Sequence, residues 1–288
     1  MAFIDLHGPL NLGATLLSGQ TFRWSPEDGD DGWFRGIVFR NEIRLRQETG
    51  CIEFTCTPGP RERVAQIIQD YLRFDDDLTE IYSLLETDDR VKSSIDRYRG
   101  MRILRQDPWE CLISFICSAN NNIPRITRNV EDLASAFGSP ILGGTSGNNA
   151  FPTAKQLADA GEKALRELGL GFRAKYVAAA AEMVSRAQID LFSLREASYQ
   201  EALDALIKLI GVGDKIANCV MLFSLNKLEA FPVDVWIDRA LREWYFTPNL
   251  ETVPRSRMRA WAQRRFGHYA GYANQYLFHD RRMAGQRG

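Results

Sequence analysis

Ser198-Tyr199-Gln200-Glu201-Ala202-Leu203-Asp204-Ala205-Leu206, followed by Ile210-Gly211-Val212-Gly213-Asp214-Lys215-Ile216, decides the fold. Ser198 and Glu201 have capping-box spacing: the serine can accept from first-turn amides while the glutamate reaches back, so a helix is predicted from Tyr199 to about Leu209. Gly211 and Gly213 permit positive φ and close backbone approach in a tight reversal. A second helix opens at Asp214, with Ile216, Cys219, Val220 and Phe223 as its apolar face. The free amides at its start favour an anion such as a nucleic-acid phosphate, without regard to base sequence. Taken alone, the two glycines fit a plain helix-helix turn equally well.

Lys215 falls in the first turn of that second helix, where the positive end of the helix dipole disfavours a cation. An unprotonated lysine is a nucleophile that forms Schiff bases with carbonyl carbons. Nineteen positions on, Phe231-Pro232-Val233-Asp234-Val235 leads into another helical pattern, Ile237, Ala240, Leu241 and Trp244, so Asp234 is predicted to be its N-cap. A carboxylate holding first-turn amides is expected to stay ionised and could stabilise a developing positive charge. Either residue alone also fits a simpler role, a solvated charge for Lys215 and a helix cap for Asp234.

Working outward, residues 33–56 alternate as half-buried strands do, with Ile43 and Leu45, then Ile52, Phe54 and Cys56, and with turns predicted at Asn41 and at Glu48-Thr49-Gly50. This reads as an antiparallel meander. After Pro58-Gly59-Pro60 the period becomes helical, with Val64, Ile67, Ile68 and Leu72 on one face. Further helices are predicted at 109–117, 123–137, 173–186 and 199–209, and a Gly-, Ser- and Asn-rich surface loop at 138–149. The fold class is therefore α+β: a small antiparallel N-terminal sheet domain over residues 1–100, followed by a mainly helical helix-hairpin-helix domain over 101–288.

The chain has 288 residues, 45% of them apolar, enough for a substantial core. Its net charge of −1 divides unevenly: residues 1–100 hold 12 basic and 18 acidic side chains, the remainder 24 and 19. The second part, net +5, can supply a phosphate-facing surface if its charges cluster. An evenly solvated surface fits the same counts. Five scattered cysteines without a C-x-x-C pair fit reduced thiols and make no metal-ligand cluster. No basic start with an apolar run opens the chain, and nowhere do about 18 apolar residues run together, so a soluble, unexported protein is expected.

Several ordered runs resemble the eukaryotic-type 8-oxoguanine DNA glycosylase/AP lyase family of the helix-hairpin-helix superfamily. They are Ser18-Gly19-Gln20-Thr21-Phe22-Arg23-Trp24, the stretch from Asp107 to Arg125, the stretch from Leu168 to Tyr176, Gly211 to Cys219, Pro232-Val233-Asp234-Val235, Tyr269-Ala270-Gly271-Tyr272, and Leu277-Phe278. Together they span most of the chain. The resemblance implies excision of a base flipped out of duplex DNA, with Lys215 as nucleophile, Asp234 as electrostatic partner, and β-elimination after a Schiff base. It places Gly19, Phe278, Asn274 and Cys219 around the lesion base, the Gly19 carbonyl sensing the N7 hydrogen and Phe278 stacking. It places Asn120, Arg125 and Arg173 at the orphaned cytosine, Phe172 as the aromatic wedge, and Gly211, Gly213 and Trp236 against DNA.

Three positions depart from the family pattern: Trp236 replaces a histidine, Asn274 a glutamine, and Phe172 a tyrosine. These bear on lesion range and opposite-base preference rather than on the catalytic pair. No cysteine follows Cys219, so the iron-sulfur cluster of one glycosylase branch is not expected; no cofactor and no metal are. The expected partner is double-stranded DNA containing oxidised guanine, with no membrane, acted on by a monomer in the cytoplasm, at the nucleoid in a prokaryote, or in the nucleus of a eukaryote. An alkylated-base glycosylase of the same superfamily would lack the hairpin lysine, and a non-catalytic helix-hairpin-helix module would need neither Lys215 nor Asp234.

Overall fold

A computed structural model describes residues 1–27, 29, 32–145, 147–246 and 253–285. Five strands, β1 (Ala2–Asp5), β2 (Trp24–Pro26), β3 (Trp33–Val38), β4 (Asn41–Glu48) and β5 (Cys51–Thr57), form one antiparallel sheet in the order β1-β5-β4-β3-β2. The predicted meander is its centre. Pairing of Ile43 with Cys56 and of Leu45 with Phe54 sets the apolar set of both strands on one face. On the other face Arg46 pairs with the buried Glu53 at 2.6 Å. The first turn is made by Phe39 and Arg40, both at positive φ, rather than by Asn41, which opens β4 and donates to the Phe39 carbonyl at 2.9 Å.

Thirteen α-helices occur among the described residues. They are α1 (Leu12–Leu17), α2 (Arg61–Tyr71), α3 (Leu78–Leu85), α4 (Asp89–Tyr98), α5 (Pro108–Cys117), α6 (Ile123–Phe137), α7 (Ala154–Leu165), α8 (Arg173–Ser185), α9 (Tyr199–Leu206), α10 (Asp214–Ser224), α11 (Val235–Tyr245), α12 (Arg255–Phe266) and α13 (Ala270–Gly285). Side-chain caps start many of them, including Asp107 on α5, Asn122 on α6 and the full Ser198–Glu201 box on α9. Each such cap is worth about 1 kcal/mol. Helix α9 stops at Leu206, short of the predicted Leu209, because the Leu209 amide turns back three residues to Leu206 and Val212 to Leu209. No helix among the described residues is long and apolar enough to cross a membrane.

Two large hydrophobic cores result, beside a small cluster of Ile37, Ile141 and Ala150. The smaller joins the sheet to α1, α2 and Leu104, and the larger fills the helical part and also takes in Phe22, Leu78, Ile81 and Ile95. The first part of the chain is thereby stitched to the second. Helix α13 packs on α4 and α11, and the Tyr276 hydroxyl meets the Tyr82 hydroxyl at 2.9 Å and donates to the Met101 carbonyl. Gln20, fully buried, donates to the carbonyls of Thr15 and Arg102 and accepts from the Leu104 amide. The last helix and the turn before β2 are thus brought to one place.

Candidate active site

The hairpin forms as its sequence requires. Gly211 has φ +85, and a Cβ built there would lie 2.3 Å from the Tyr176 ring, so only glycine fits. Gly213 is different: φ is −97° and a Cβ would meet nothing, so its small size leaves the start of α10 open to approach. No side chain among the described residues caps that helix, which leaves its first-turn amides available to an outside acceptor. Tyr176 in turn carries Phe172 edge-on at 6.0 Å, and Phe172 is about half exposed, so the hairpin and the wedge candidate share one aromatic support.

A cavity of about 640 Å3 opens beside the hairpin. Lys215, Asp234, Cys219, Gly213, Gly19, Phe278, Asn274, Asn120 and Trp236 all line it. Residues separated by more than 250 positions in the chain meet there. Arg125, Phe172, Arg173 and Gly211 are not among its walls.

Lys215 projects from the first turn of α10, with Nζ donating to the Ser118 hydroxyl at 2.8 Å and standing 5.3 Å from the centre of the Phe115 ring. Ser118 spends its own proton on the Phe115 carbonyl at 2.6 Å, leaving its lone pairs to the amine. Phe115 stacks on Phe223 and meets Phe22 edge-on, which makes the floor under the lysine apolar. Asp234 caps α11 as predicted, accepting from the Ile237 amide at 2.8 Å. Burial nevertheless pushes its carboxyl above the ordinary carboxylate value, opposed by the Ile237 amide and the charge of Lys215. Capping and desolvation thus act in opposite directions on this carboxylate, and desolvation is the larger.

Cys219, one helical turn beyond Lys215, is buried, and desolvation pushes its thiol up to about 11. Asn274 is buried too, its amino group donating to the Pro232 carbonyl at 2.9 Å, so it braces the segment leading to Asp234. Trp236 packs against Gly285 at the end of α13. Gly19 has φ +85, and a Cβ there would lie 2.9 Å from Ile123 Cδ1, 3.2 Å from Arg282 Nη1 and 3.5 Å from Phe278 Cε1. Its carbonyl accepts no hydrogen bond among the described residues. The turn around it is pinned from outside, by Gln275 on the Ser18 carbonyl at 3.4 Å and Arg282 on the Leu17 carbonyl at 2.7 Å.

The run Asn120-Asn121-Asn122 separates into three roles. Asn122 caps α6, and Asn121 donates to the Cys117 carbonyl and to Asn129. Asn120 is exposed at φ 49, its side chain without a hydrogen bond among the described residues. Arg173 is buried and donates to the carbonyls of Ala119, Asn120 and Leu170. Desolvation and then the like charge of Arg125 lower its guanidinium below the ordinary value. It clamps the Asn120 turn from below, while Arg125 is exposed beside it.

Sequence reasoning passed over Ser118, Phe115, Gln275, Arg255 and Arg282 as cavity residues. For Arg282 a signal existed: it follows Phe278 by four positions on one helix and so shares its face.

Residues 5–112 match the 8-oxoguanine DNA glycosylase N-terminal domain, and residues 113–263 match the HhH-GPD superfamily of base excision DNA repair proteins. The N-glycosylase/DNA lyase OGG1 of Arabidopsis thaliana is 35% identical, covering 94% of this chain and 77% of its own. The N-glycosylase/DNA lyase of Saccharomyces cerevisiae is 31% identical, covering 93% and 82%. The 8-oxoguanine glycosylase/lyase of Clostridium acetobutylicum, solved with double-stranded DNA containing cytosine opposite 8-oxoG, superposes with a TM-score of 0.89 at 30% identity over 99% of each chain. With an amine and a buried carboxyl meeting in one cavity beside a helix-hairpin-helix, the chain belongs to the 8-oxoguanine DNA glycosylase family, the bifunctional N-glycosylase/DNA lyases of the HhH-GPD superfamily.

Proposed function

We propose that this protein excises 8-oxoguanine and related oxidised purines from duplex DNA, preferentially opposite cytosine, through a Schiff base on Lys215. The observation that carries the reading is the convergence of Lys215 and Asp234 on the cavity that Gly19 and Phe278 also line. The hairpin amides and Gly213 hold the backbone, Phe172 fills the space left by the flipped nucleotide, and the base enters between Phe278 and the Gly19 carbonyl. An unprotonated Lys215 amine, aimed by Ser118, attacks the sugar C1′. As the glycosidic bond breaks, its electron pair leaves with the base, and ionised Asp234 stabilises the positive charge on the sugar. The amine gives up its two protons, one to the departing base and one to O4′, as the C1′–O4′ bond breaks and C1′=N forms, opening the sugar ring to the imine. Loss of a C2′ proton then expels the 3′ phosphate by β-elimination.

Asn120, with its side chain free, and Arg125 address the cytosine left behind. Arg173 supports them through the backbone. Cys219 and Asn274 border the base, and Trp236 closes the wall on the DNA side. We further propose that the protein works as a monomer wherever its DNA lies.

The test is a panel of duplexes with 8-oxoguanine opposite each of the four bases, in single turnover, with and without alkali after incubation. Base release measured with alkali, nicking without it, and fastest reaction opposite cytosine are expected. Equal rates opposite all four bases would remove the cytosine assignment of Asn120 and Arg125. An alkylated-base glycosylase is the second reading, and Lys215 held at the cavity speaks against it.

A further inference from the structure

Arg282 is a cation inside the cavity with no carboxylate partner among the described residues. It is half-buried on α13, four positions after Phe278, its guanidinium 5.9 Å from the centre of that ring. Nη2 is held by the Leu17 carbonyl at 2.7 Å, with His279 Nδ1 at 3.4 Å. Nε is buried with no hydrogen-bond partner. Nη1 stands 3.2 Å from the place a Gly19 Cβ would occupy, beside the free Gly19 carbonyl. An unpaired charge in such a place costs free energy unless an acceptor completes it. That acceptor arrives when the cavity fills.

A purine stacked on Phe278 with N7–H on the Gly19 carbonyl presents an exocyclic oxygen on each side of that contact, O6 and O8. We propose that Arg282 is a specificity-determining residue that donates from Nη1 to one of the two exocyclic oxygens flanking N7 of the flipped oxidised purine. This rests on the functional reading above and extends it, since Gly19 alone would report only the hydrogen on N7. The arginine adds a second criterion, an oxygen acceptor next to that hydrogen. A backbone phosphate is the competing acceptor. The placement favours the base, because Nη1 lies beside Gly19 and the guanidinium beside Phe278, the two residues assigned to the base.

The experiment compares wild type, Arg282→Met and Arg282→Lys in single-turnover excision of 8-oxoguanine, 8-oxo-2-aminopurine (which lacks O6) and 8-thioguanine (sulfur in place of O8). Each rate is divided by the same protein's cleavage rate at an abasic site, which has no base to read, and melting temperatures are recorded alongside. For 8-oxoguanine the normalised rate of Arg282→Met is expected to fall roughly 10- to 100-fold, the range of a hydrogen bond to a charged group. The same substitution should have little effect on whichever analogue lacks the oxygen it reads, and that analogue identifies the oxygen. Arg282→Lys, which keeps the charge but not the fork, should follow Arg282→Met.

Equal losses on all three lesions, or a loss at the abasic site as large as that on 8-oxoguanine, overturn the proposal in favour of a phosphate or purely structural role. Full rescue by Arg282→Lys does the same. Wild type that cleaves abasic sites but leaves 8-oxoguanine in place overturns the functional reading itself, and this inference with it.

Discussion

Replacing Gly19 by alanine perturbs two things at once, and the structure separates them. At φ +85 an L side chain is strained, and the new methyl would meet Ile123 Cδ1 at 2.9 Å and Arg282 Nη1 at 3.2 Å. The backbone term costs about 1–3 kcal/mol, equivalent to a drop of roughly 2–10 °C in melting temperature for a chain of this size. Ile123 and Arg282 are flexible at the tips that collide, so they can yield. The carbonyl cannot turn freely, because Gln275 and Arg282 hold Ser18 and Leu17 on its N-terminal side and Gln106 takes the Gln20 carbonyl at 2.7 Å beyond it. A displaced carbonyl mispositions the base, and excision of 8-oxoguanine should fall by about 10²-fold, while nonspecific duplex binding through the hairpin changes little. The direct assay of the carbonyl is binding of Lys215→Gln protein to duplexes with 8-oxoguanine or 8-oxo-7-deazaguanine. Exchanging the polar N–H for C–H leaves the carbonyl unpaired, worth about 1–3 kcal/mol, a factor of roughly 5 to 150 in Kd. Equal affinity for the two duplexes would refute Gly19 as the sensor.

Four further outcomes are expected. Lys215→Gln should abolish base release and nicking and form no covalent adduct on borohydride treatment, while still binding lesion DNA; a wild type that turns over without an adduct rules the Schiff base out. Asp234→Asn keeps a good N-cap, so its melting temperature should stay near wild type while base release drops roughly 10²–10³-fold; unchanged turnover would end the electrostatic role. Because burial raises the Asp234 carboxyl above its ordinary value and the proposed reaction needs it ionised, excision should fall as pH drops through that raised value, and its stability contribution should be lost as pH rises through it; an acid limb at or below the ordinary value contradicts this. Asn120→Gly, which tolerates the positive φ of that turn, should relax opposite-base preference with little loss of stability, whereas Arg173→Met, which strips donors from buried carbonyls at about 1–3 kcal/mol each, should lower both; similar melting curves for the two proteins would show that Arg173 is no clamp.

Much of the fold was legible because its elements carry local signals. The Ser198–Glu201 box, the boundaries of α6 and the alternation of β4 and β5 each reside in a few adjacent residues, and all three appear where expected. Strands β1 and β2 were missed for the opposite reason: four and three residues are too short to display a period, and both exist only by pairing with strands elsewhere in the chain. The turn at Phe39-Arg40 was misplaced by two positions because Asn41, the residue with turn chemistry, stabilises it from the neighbouring strand. The sites at Lys215 and Asp234 were visible because each sits at a helix start, a position that sequence marks.

The lesion-facing side of the cavity has no such mark, and its physics explains why. Gly19 lies in a turn whose geometry is set by Gln20, Gln106, and the α13 residues Gln275 and Arg282, from three separate parts of the chain. The three glutamines are buried and bonded mainly to backbone carbonyls, and the half-buried Arg282 adds one such bond, so each is costly to remove and contributes little that periodicity can detect. Such a network holds one carbonyl in a set orientation, as the proposed discrimination by a single N7 hydrogen requires. A sensor that could relax toward guanine would lose the penalty on which it depends. The proposed chemistry at C1′ needs the reverse, and Lys215 is a lysine on a long stem held by a hydrogen bond to Ser118. The proposed reading thus calls for rigidity where the base is read and freedom where bonds are made, and the two places share one cavity because α13 returns to the turn that follows α1.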